Sequence, residues 1–283
     1  VVCVDPRAAE EGAKVLESGG NAFDAAITTA FVQMVVTPFA CGIGGMISAH
    51  LWDSSSGEHQ IIDGCLRAGS LVSEEMWVED YLGESEFSGE SLFSDFRSSI
   101  GYTSICTPGT LSGLWEIHKR YCTLPWKELL QPAITVARRG LIITPEMHRG
   151  FQIKTAPDRP DALTRLSATK ECARIYLETD GSIPNEGSKV DNVDYANTLN
   201  HLAQYGAEDF YTGELANIMS QDLNQNGSFI TQNDLREYKV NCYQPNSCKY
   251  GGVDIFSNSP PGGGAIMQEA LNVLDRLDVR NLG

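Results

Sequence analysis

Asp5-Pro6-Arg7-Ala8-Ala9-Glu10-Glu11-Gly12, Val15-Leu16, Gly19-Gly20-Asn21-Ala22 and Asp24-Ala25-Ala26 follow one another closely at the head of the chain. They predict two helices. Ala8–Glu17 reads as a helix that stops at Gly19-Gly20. Asn21 then offers a side-chain oxygen to cap a second helix. In that helix Phe23, Ile27, Ala30, Phe31, Met34 and Val35 recur at helical spacing, a stripe that faces a core, and Pro38 ends it. Gly42-Ile43-Gly44-Gly45 comes next. Beyond it Ile47, Ala49 and Leu51 alternate with Ser48, His50 and Trp52, which is strand period. Ser54–Gly57 turns the chain, and His59–Asp63 returns as a second strand.

Later segments add helices at Thr110–Tyr121, from Pro125-Trp126 to a C-cap at Gly140, at Tyr195–Tyr205 and at Glu214–Leu223. Thr231 and Asp234 read as a capping box. Val253–Ser257 is a strand, and Pro260-Pro261-Gly262-Gly263-Gly264 opens a last helix with Met267, Ala270, Leu271 and Leu274 on one side, ending near Asp278. No regular strand–helix–strand beat is present, so a layered α+β fold is expected rather than a doubly wound sheet. Residues 1–283 read as one domain. Two stretches stand out within it: an acidic, Ser/Gly-rich loop at 74–100 and a polar, irregular segment at 146–192 broken by Pro and Gly.

The chain has 283 residues, with 21 Lys and Arg against 37 Asp and Glu, for a formal charge of −16. Phosphate-tracking and anionic membrane surfaces need the opposite sign, so nucleic-acid and membrane binding are disfavoured. Eight of the acids fall at 74–96 with no Lys or Arg among them, half of the total charge. A solvated loop is the plain reading, an acidic docking patch the sharper one. The longest apolar stretch, Ala25–Val36, is too short and too polar to span a bilayer. No leader precedes the strand-like Val1-Val2-Cys3, so any leader is expected to have been removed. None of the eight Cys stands in a CxxC pair, and no His lies at zinc spacing, so neither a metal nor a cofactor is expected. Cys242 and Cys248 either close a small loop or stay as thiols. GxGxxG after a strand, GKS/T, HExxH and GxSxG are all missing. The glycines at 42–45 and 262–264 therefore read as tight turns where one backbone passes close to another.

The opening residues, together with Gly42-Ile43-Gly44-Gly45, resemble the γ-glutamyltransferase (γ-glutamyl transpeptidase) family. Later blocks do so too: Thr107-Pro108-Gly109-Thr110, Gly113-Leu114-Trp115, Gly206-Ala207 with Phe210-Tyr211, Gly213 and Leu215-Ala216. Thr231 with Asp234-Leu235, Tyr238, and Pro260-Pro261 with Gly263-Gly264 continue the series in family order. The resemblance implies an N-terminal-nucleophile (Ntn) hydrolase: a four-layer αββα sandwich made as a precursor that cuts itself into two subunits. A new N-terminal Thr on the small subunit is then the nucleophile, its own α-amine the base, and backbone N–H groups hold the oxyanion. Nothing after Gly264 supplies such a Thr, so this chain resembles most of a large subunit. By that resemblance no catalytic residue in the strict sense lies in it, and its partner is the small subunit.

The family's large subunit supplies an Arg that grips the α-carboxylate of the γ-glutamyl group, two residues after an Asp in a pattern like Asp-Phe-Arg-Glu. A guanidinium fork suits a carboxylate because two parallel hydrogen bonds form at once. Here Asp63-Gly64-Cys65-Leu66-Arg67 places the Arg two positions later and Cys65 where it would stand, which is closer to divergent acylase-like members. Arg67 is the candidate substrate-binding residue. His50, Asp63, Trp115 and Trp126 read as structural. Three functions compete: acyl transfer from or hydrolysis of γ-glutamyl amides, cleavage of another small dicarboxylic acyl amide, and an inactive relative serving as a binding or secreted factor. The resemblance implies a periplasmic, secreted or outer-face location, with a cytoplasmic one still open.

Overall fold

The computed structural model describes residues 1–153 and 155–277. The chain begins with helices α1 (Pro6–Glu17) and α2 (Ala22–Val36), then strands β1 (Ile47–Asp53) and β2 (Glu58–Gly64). A short pair, β3 (Tyr81–Glu84) and β4 (Ser91–Phe93), precedes α3 (Thr110–Tyr121) and α4 (Trp126–Arg139). Next come β5 (Leu141–Ile142), α5 (Pro145–Gln152), α6 (Ala162–Leu166), α7 (Lys170–Tyr176) and β6 (Lys189–Val190). Helices α8 (Val193–Tyr205), α9 (Asp209–Thr212), α10 (Glu214–Gln225) and α11 (Gln232–Arg236) follow. Strands β7 (Asn241–Tyr243), β8 (Asn246–Tyr250) and β9 (Val253–Ser257) lead into α12 (Gly264–Arg276). The fold is α+β, as the sequence predicts; the last expected helical residue, Asp278, lies outside the described residues.

Capping residues set the first two helices. The Asp5 carboxylate accepts from the Arg7 backbone N–H at 2.9 Å, and Pro6 fills the first helical position. Asn21 accepts from the N–H groups of Phe23 and Asp24, and Asp24 accepts in return from the Asn21 N–H at 2.9 Å, a full capping box. The stripe expected on α2 understates its burial. Ala25, Thr28, Thr29, Val32 and Val36 are buried as well, because α1, α3 and α4 all pack against it. Phe31 on α2 meets Trp126 edge to face at 5.3 Å. Leu111, Leu130, Leu199 and Leu202 complete this helical layer.

The layer lies on one face of a three-stranded antiparallel sheet ordered β1-β2-β7. Ile47, Ala49 and Leu51 pack toward the helices, while Ser48, His50 and Trp52 point away, as the alternation predicts. On that far face His50 stacks on His59 at 4.7 Å, and Phe256 of β9 meets His59 at 4.6 Å. Strands β8 and β9 form a separate hairpin against which α12 packs. Its apolar side stays uncovered among the described residues, with Met267 42% and Leu274 38% exposed.

The two irregular stretches hold more structure than their composition suggests. Within 74–100 the β3–β4 pair forms, yet seven of its eight acids remain exposed; Asp80 alone is half-buried, bonded to Ser94 and Arg97. The 146–192 segment is irregular only between short helices. Thr144, Asp161 and Thr169 each cap one of them with a side-chain oxygen, so local caps supply starts that the broken hydrophobic pattern hides. All eight cysteines are free thiols, including Cys242 and Cys248.

Asp24 is fully buried and ties this layer together. Besides the Asn21 N–H, its carboxylate accepts from the Thr123 hydroxyl at 2.7 Å and from the N–H groups of Thr123 and Leu124 at 3.1 Å each. Burial pushes the carboxyl up, but these donors outweigh it and hold it below the ordinary value of 3.8. Asp24→Ala should therefore lower unfolding free energy by about 3 kcal/mol, because several buried donors lose their acceptor. Urea denaturation of the full-length protein measures this. Since the folded value is the lower one, the Asp24 contribution is complete above pH about 4 and fades as pH falls further, so wild type and variant should converge in acid.

Candidate functional site

The end of β2 is the focus, since it carries Asp63 and leads to Arg67. Asp63 is buried and accepts from the Tyr243 hydroxyl at 3.2 Å. The same Tyr243 oxygen accepts from the Ser259 backbone N–H at 3.2 Å. The strand end is thereby joined to the segment that leads into α12.

Beyond Asp63 the chain crosses the start of α3. No side chain caps that helix; instead the Gly45 carbonyl accepts from the N–H groups of Gly109 and Thr110 at 2.9 and 3.1 Å. This joins the Gly-rich turn after α2 to the 107–110 block. Gly64 and Gly109 meet backbone to backbone. A Cβ on Gly109 would lie 2.1 Å from both the Gly64 carbonyl oxygen and the Tyr238 hydroxyl. The close-approach reading of the 42–45 run therefore holds at Gly45, where a Cβ would sit 3.3 Å from the Gly42 oxygen, whereas Gly42 and Gly44 face open space. In the later run it holds at Gly264, which meets the Asn258 backbone, but not at Gly262, which faces the Asn258 side chain, nor at Gly263.

Tyrosines frame the crossing. Tyr211 donates to the Pro108 carbonyl at 3.0 Å and accepts from the Ser112 N–H at 3.1 Å. Tyr238 stacks on Tyr211 with ring centroids 5.6 Å apart and donates to the Cys65 carbonyl at 2.7 Å. Burial pushes the Tyr238 hydroxyl up to about 12, against the opposing pull of the nearby Arg67 charge, so it stays a donor at neutral pH.

Arg67 itself is exposed. Its backbone pairs with Thr107 through two hydrogen bonds of 3.2 and 2.8 Å. One guanidinium nitrogen donates to the Lys239 carbonyl at 2.8 Å, and the group lies 5.1 Å from the Tyr238 ring centroid. Its other N–H groups have no partner among the described residues, which leaves a charged fork able to take up a carboxylate. A cleft of about 650 Å³ between α3, α9 and residues 236–242 shares Tyr238 and Lys239 with this group, but Arg67 does not line it. His50 sits mid-strand in β1 opposite Ile61 and takes no part in the crossing. Tyr243 and the Arg67–Tyr238 contact were not legible in the sequence. Tyr238 and Tyr211 appear in the resembling blocks, without a role.

A family model described as γ-glutamyltranspeptidase matches residues 8–283. The acylase ACY 1 proenzyme of Pseudomonas sp. (strain SE83) is 31% identical, over 100% of this chain and 49% of its own length. Glutathione hydrolase 3 of Arabidopsis thaliana is 30% identical, over 97% of this chain and 40% of its own length. The crystal structure of the Helicobacter pylori γ-glutamyltranspeptidase superposes with a TM-score of 0.86 at 30% identity, covering 100% of this chain and 76% of that one. The chain thus spans about half the length of the curated relatives it matches.

Gly109→Ala should destabilise the protein by about 1–3 kcal/mol, since its methyl group has no room at the crossing. Gly42→Ala, facing open space, should stay within about 0.5 kcal/mol of wild type. Thermal unfolding of the two variants side by side distinguishes steric demand from mere glycine preference.

Proposed function

The chain belongs to the γ-glutamyltranspeptidase family, and we propose that it forms the larger, nucleophile-free part of an amide-cleaving Ntn enzyme acting on γ-glutamyl compounds. The family match along 8–283 carries this reading. The proenzyme name of the acylase relative and the half-length coverage support a second subunit cut from the same precursor. The uncovered apolar surfaces of α12 and of the outer sheet face, where Trp52 is 60% exposed, fit burial under that missing half. The same reading implies the four-layer αββα sandwich, one face of whose sheet is the far side of β1 and β2.

In this scheme an N-terminal Thr on the second subunit attacks the amide carbonyl through its hydroxyl oxygen. Its α-amine takes the hydroxyl proton and passes it to the departing amine. The resulting ester is opened by water, giving the free acid, or by an amine, giving a new amide. Arg67 binds the carboxylate of the acyl group during both halves of the reaction. A location in the periplasm, outside the cell or on its outer face belongs to the same proposal. Among the described residues no helix is long and apolar enough to cross a membrane.

A second reading changes the acyl group to another small dicarboxylic amide. The observation favouring it is the placement of Cys65 where the family pattern has its Arg, with Arg67 two positions later. The acylase relative agrees with it. The processed full-length protein should release nitroaniline from a γ-glutamyl anilide, and the smaller chain should begin with Thr. Arg67→Ala should raise KM for an acidic acyl donor about tenfold or more, the effect of losing a charged hydrogen-bond pair. Unchanged KM removes Arg67 from both readings. An uncut precursor, or a small chain beginning with a residue other than Thr, Ser or Cys, supports the inactive relative instead.

A further inference from the structure

Arg67 is a long, exposed side chain on a loop, and such a group loses much of its binding power unless its direction is set in advance. The surrounding contacts set it: Thr107 pairs with the Arg67 backbone, and the contacts to the rest of the loop and to the guanidinium come from one distant segment. The Asp234 carboxylate caps α11 at Thr231 and also accepts from the Ser70 N–H and hydroxyl, both at 3.0 Å. The Leu71 N–H donates to the Phe229 carbonyl at 3.2 Å. At the other end Tyr238 holds the Cys65 carbonyl, and between these anchors Lys239 accepts from the Arg67 guanidinium. Residues 65–71 are therefore fastened along 229–239, and among the described residues Tyr238 is the one side chain that contacts both the loop backbone and the charged group.

We propose that Tyr238 is the positioning residue for Arg67: its ring carries the guanidinium, and its hydroxyl fixes the Cys65 carbonyl two residues upstream. This rests on the reading of Arg67 as the carboxylate-binding residue. The division of labour is physical. A cation over an aromatic face is held in distance but slides laterally. The hydrogen bond to Lys239 stops that sliding for one N–H and leaves the others pointing outward. The hydroxyl bond to Cys65 keeps the loop from lifting off the ring. Gly109 is required beside it, because a Cβ there would lie 2.1 Å from the Tyr238 hydroxyl. Tyr211 stacks on the same ring with centroids 5.6 Å apart.

The test uses the processed full-length protein and two acyl donors, a γ-glutamyl anilide and the same anilide with its α-carboxylate converted to a carboxamide. Tyr238→Leu removes ring and hydroxyl. It should raise KM for the acidic donor about three- to tenfold, with kcat and the constants for the neutral donor changed less than about twofold. Tyr238→Phe keeps the ring and loses only the hydroxyl bond to the Cys65 carbonyl, so it should raise KM for the acidic donor about two- to threefold, less than the Leu variant, and it serves as the test if the Leu variant fails to fold. In an Arg67→Ala background neither Tyr238 variant should change KM further. Equal losses on both donors, or effects that add to Arg67→Ala, would mean that Tyr238 only stabilises the fold and overturn the proposal. If Arg67→Ala raises KM and the Tyr238 variants do not, positioning is refuted while the role of Arg67 stands. If Arg67→Ala leaves KM unchanged, the carboxylate reading itself fails, and this inference with it.

Discussion

Burying a carboxylate is costly unless every lone pair finds a donor, and the Asp24 carboxylate finds four. One of these, from the Asn21 N–H, is local and closes the α2 cap, and the other three reach the turn between α3 and α4 about a hundred residues later. That single group therefore sets the start of the central helix and the place where the next two helices meet it. With α2 surrounded by α1, α3 and α4, the helical layer becomes a platform for β1 and β2. The position of the strand end carrying Asp63 follows from that platform.

From there a second constraint takes over, which is room. At the crossing of residues 64 and 109 two backbones pass so closely that neither position tolerates a side chain. The close approach is what allows Gly45 to cap α3 with a carbonyl and Tyr238 to reach the Cys65 carbonyl. Under the role proposed for Arg67, rigid geometry at this point matters because binding a charged acyl group rewards a guanidinium already aimed. A looser crossing would still fold the helices but would leave Arg67 to search for its direction.

Much of the architecture could be read from local rules. The Asn21 cap, the hairpin alternation from Ile47 to Trp52, the Gly140 stop and the Thr231–Asp234 capping box depend on neighbours within a few residues. The helices of the 146–192 segment were missed because they are short, and their hydrophobic pattern never completes two turns. Strands β7 and β8 were missed for a related reason: each is brief and interrupted by polar residues. The outward face of β1 follows from its alternation, whereas α12 buries Gly264 and Gln268 and leaves Met267 and Leu274 exposed, and no periodicity says what covers either surface.

By itself the sequence determined the family, the α+β class, the identity of most helices and the choice of Arg67 as the charged candidate, because these follow from motif order and from spacing along the chain. The tertiary structure decided what Arg67 touches. Tyr238 and Cys65 are 173 residues apart, and Arg67 and Lys239 are 172 apart. Contacts at such separation depend on how the helical layer and sheet pack in three dimensions. Neither propensity nor period records that, so the pose of the guanidinium, unlike its presence, belongs to the fold.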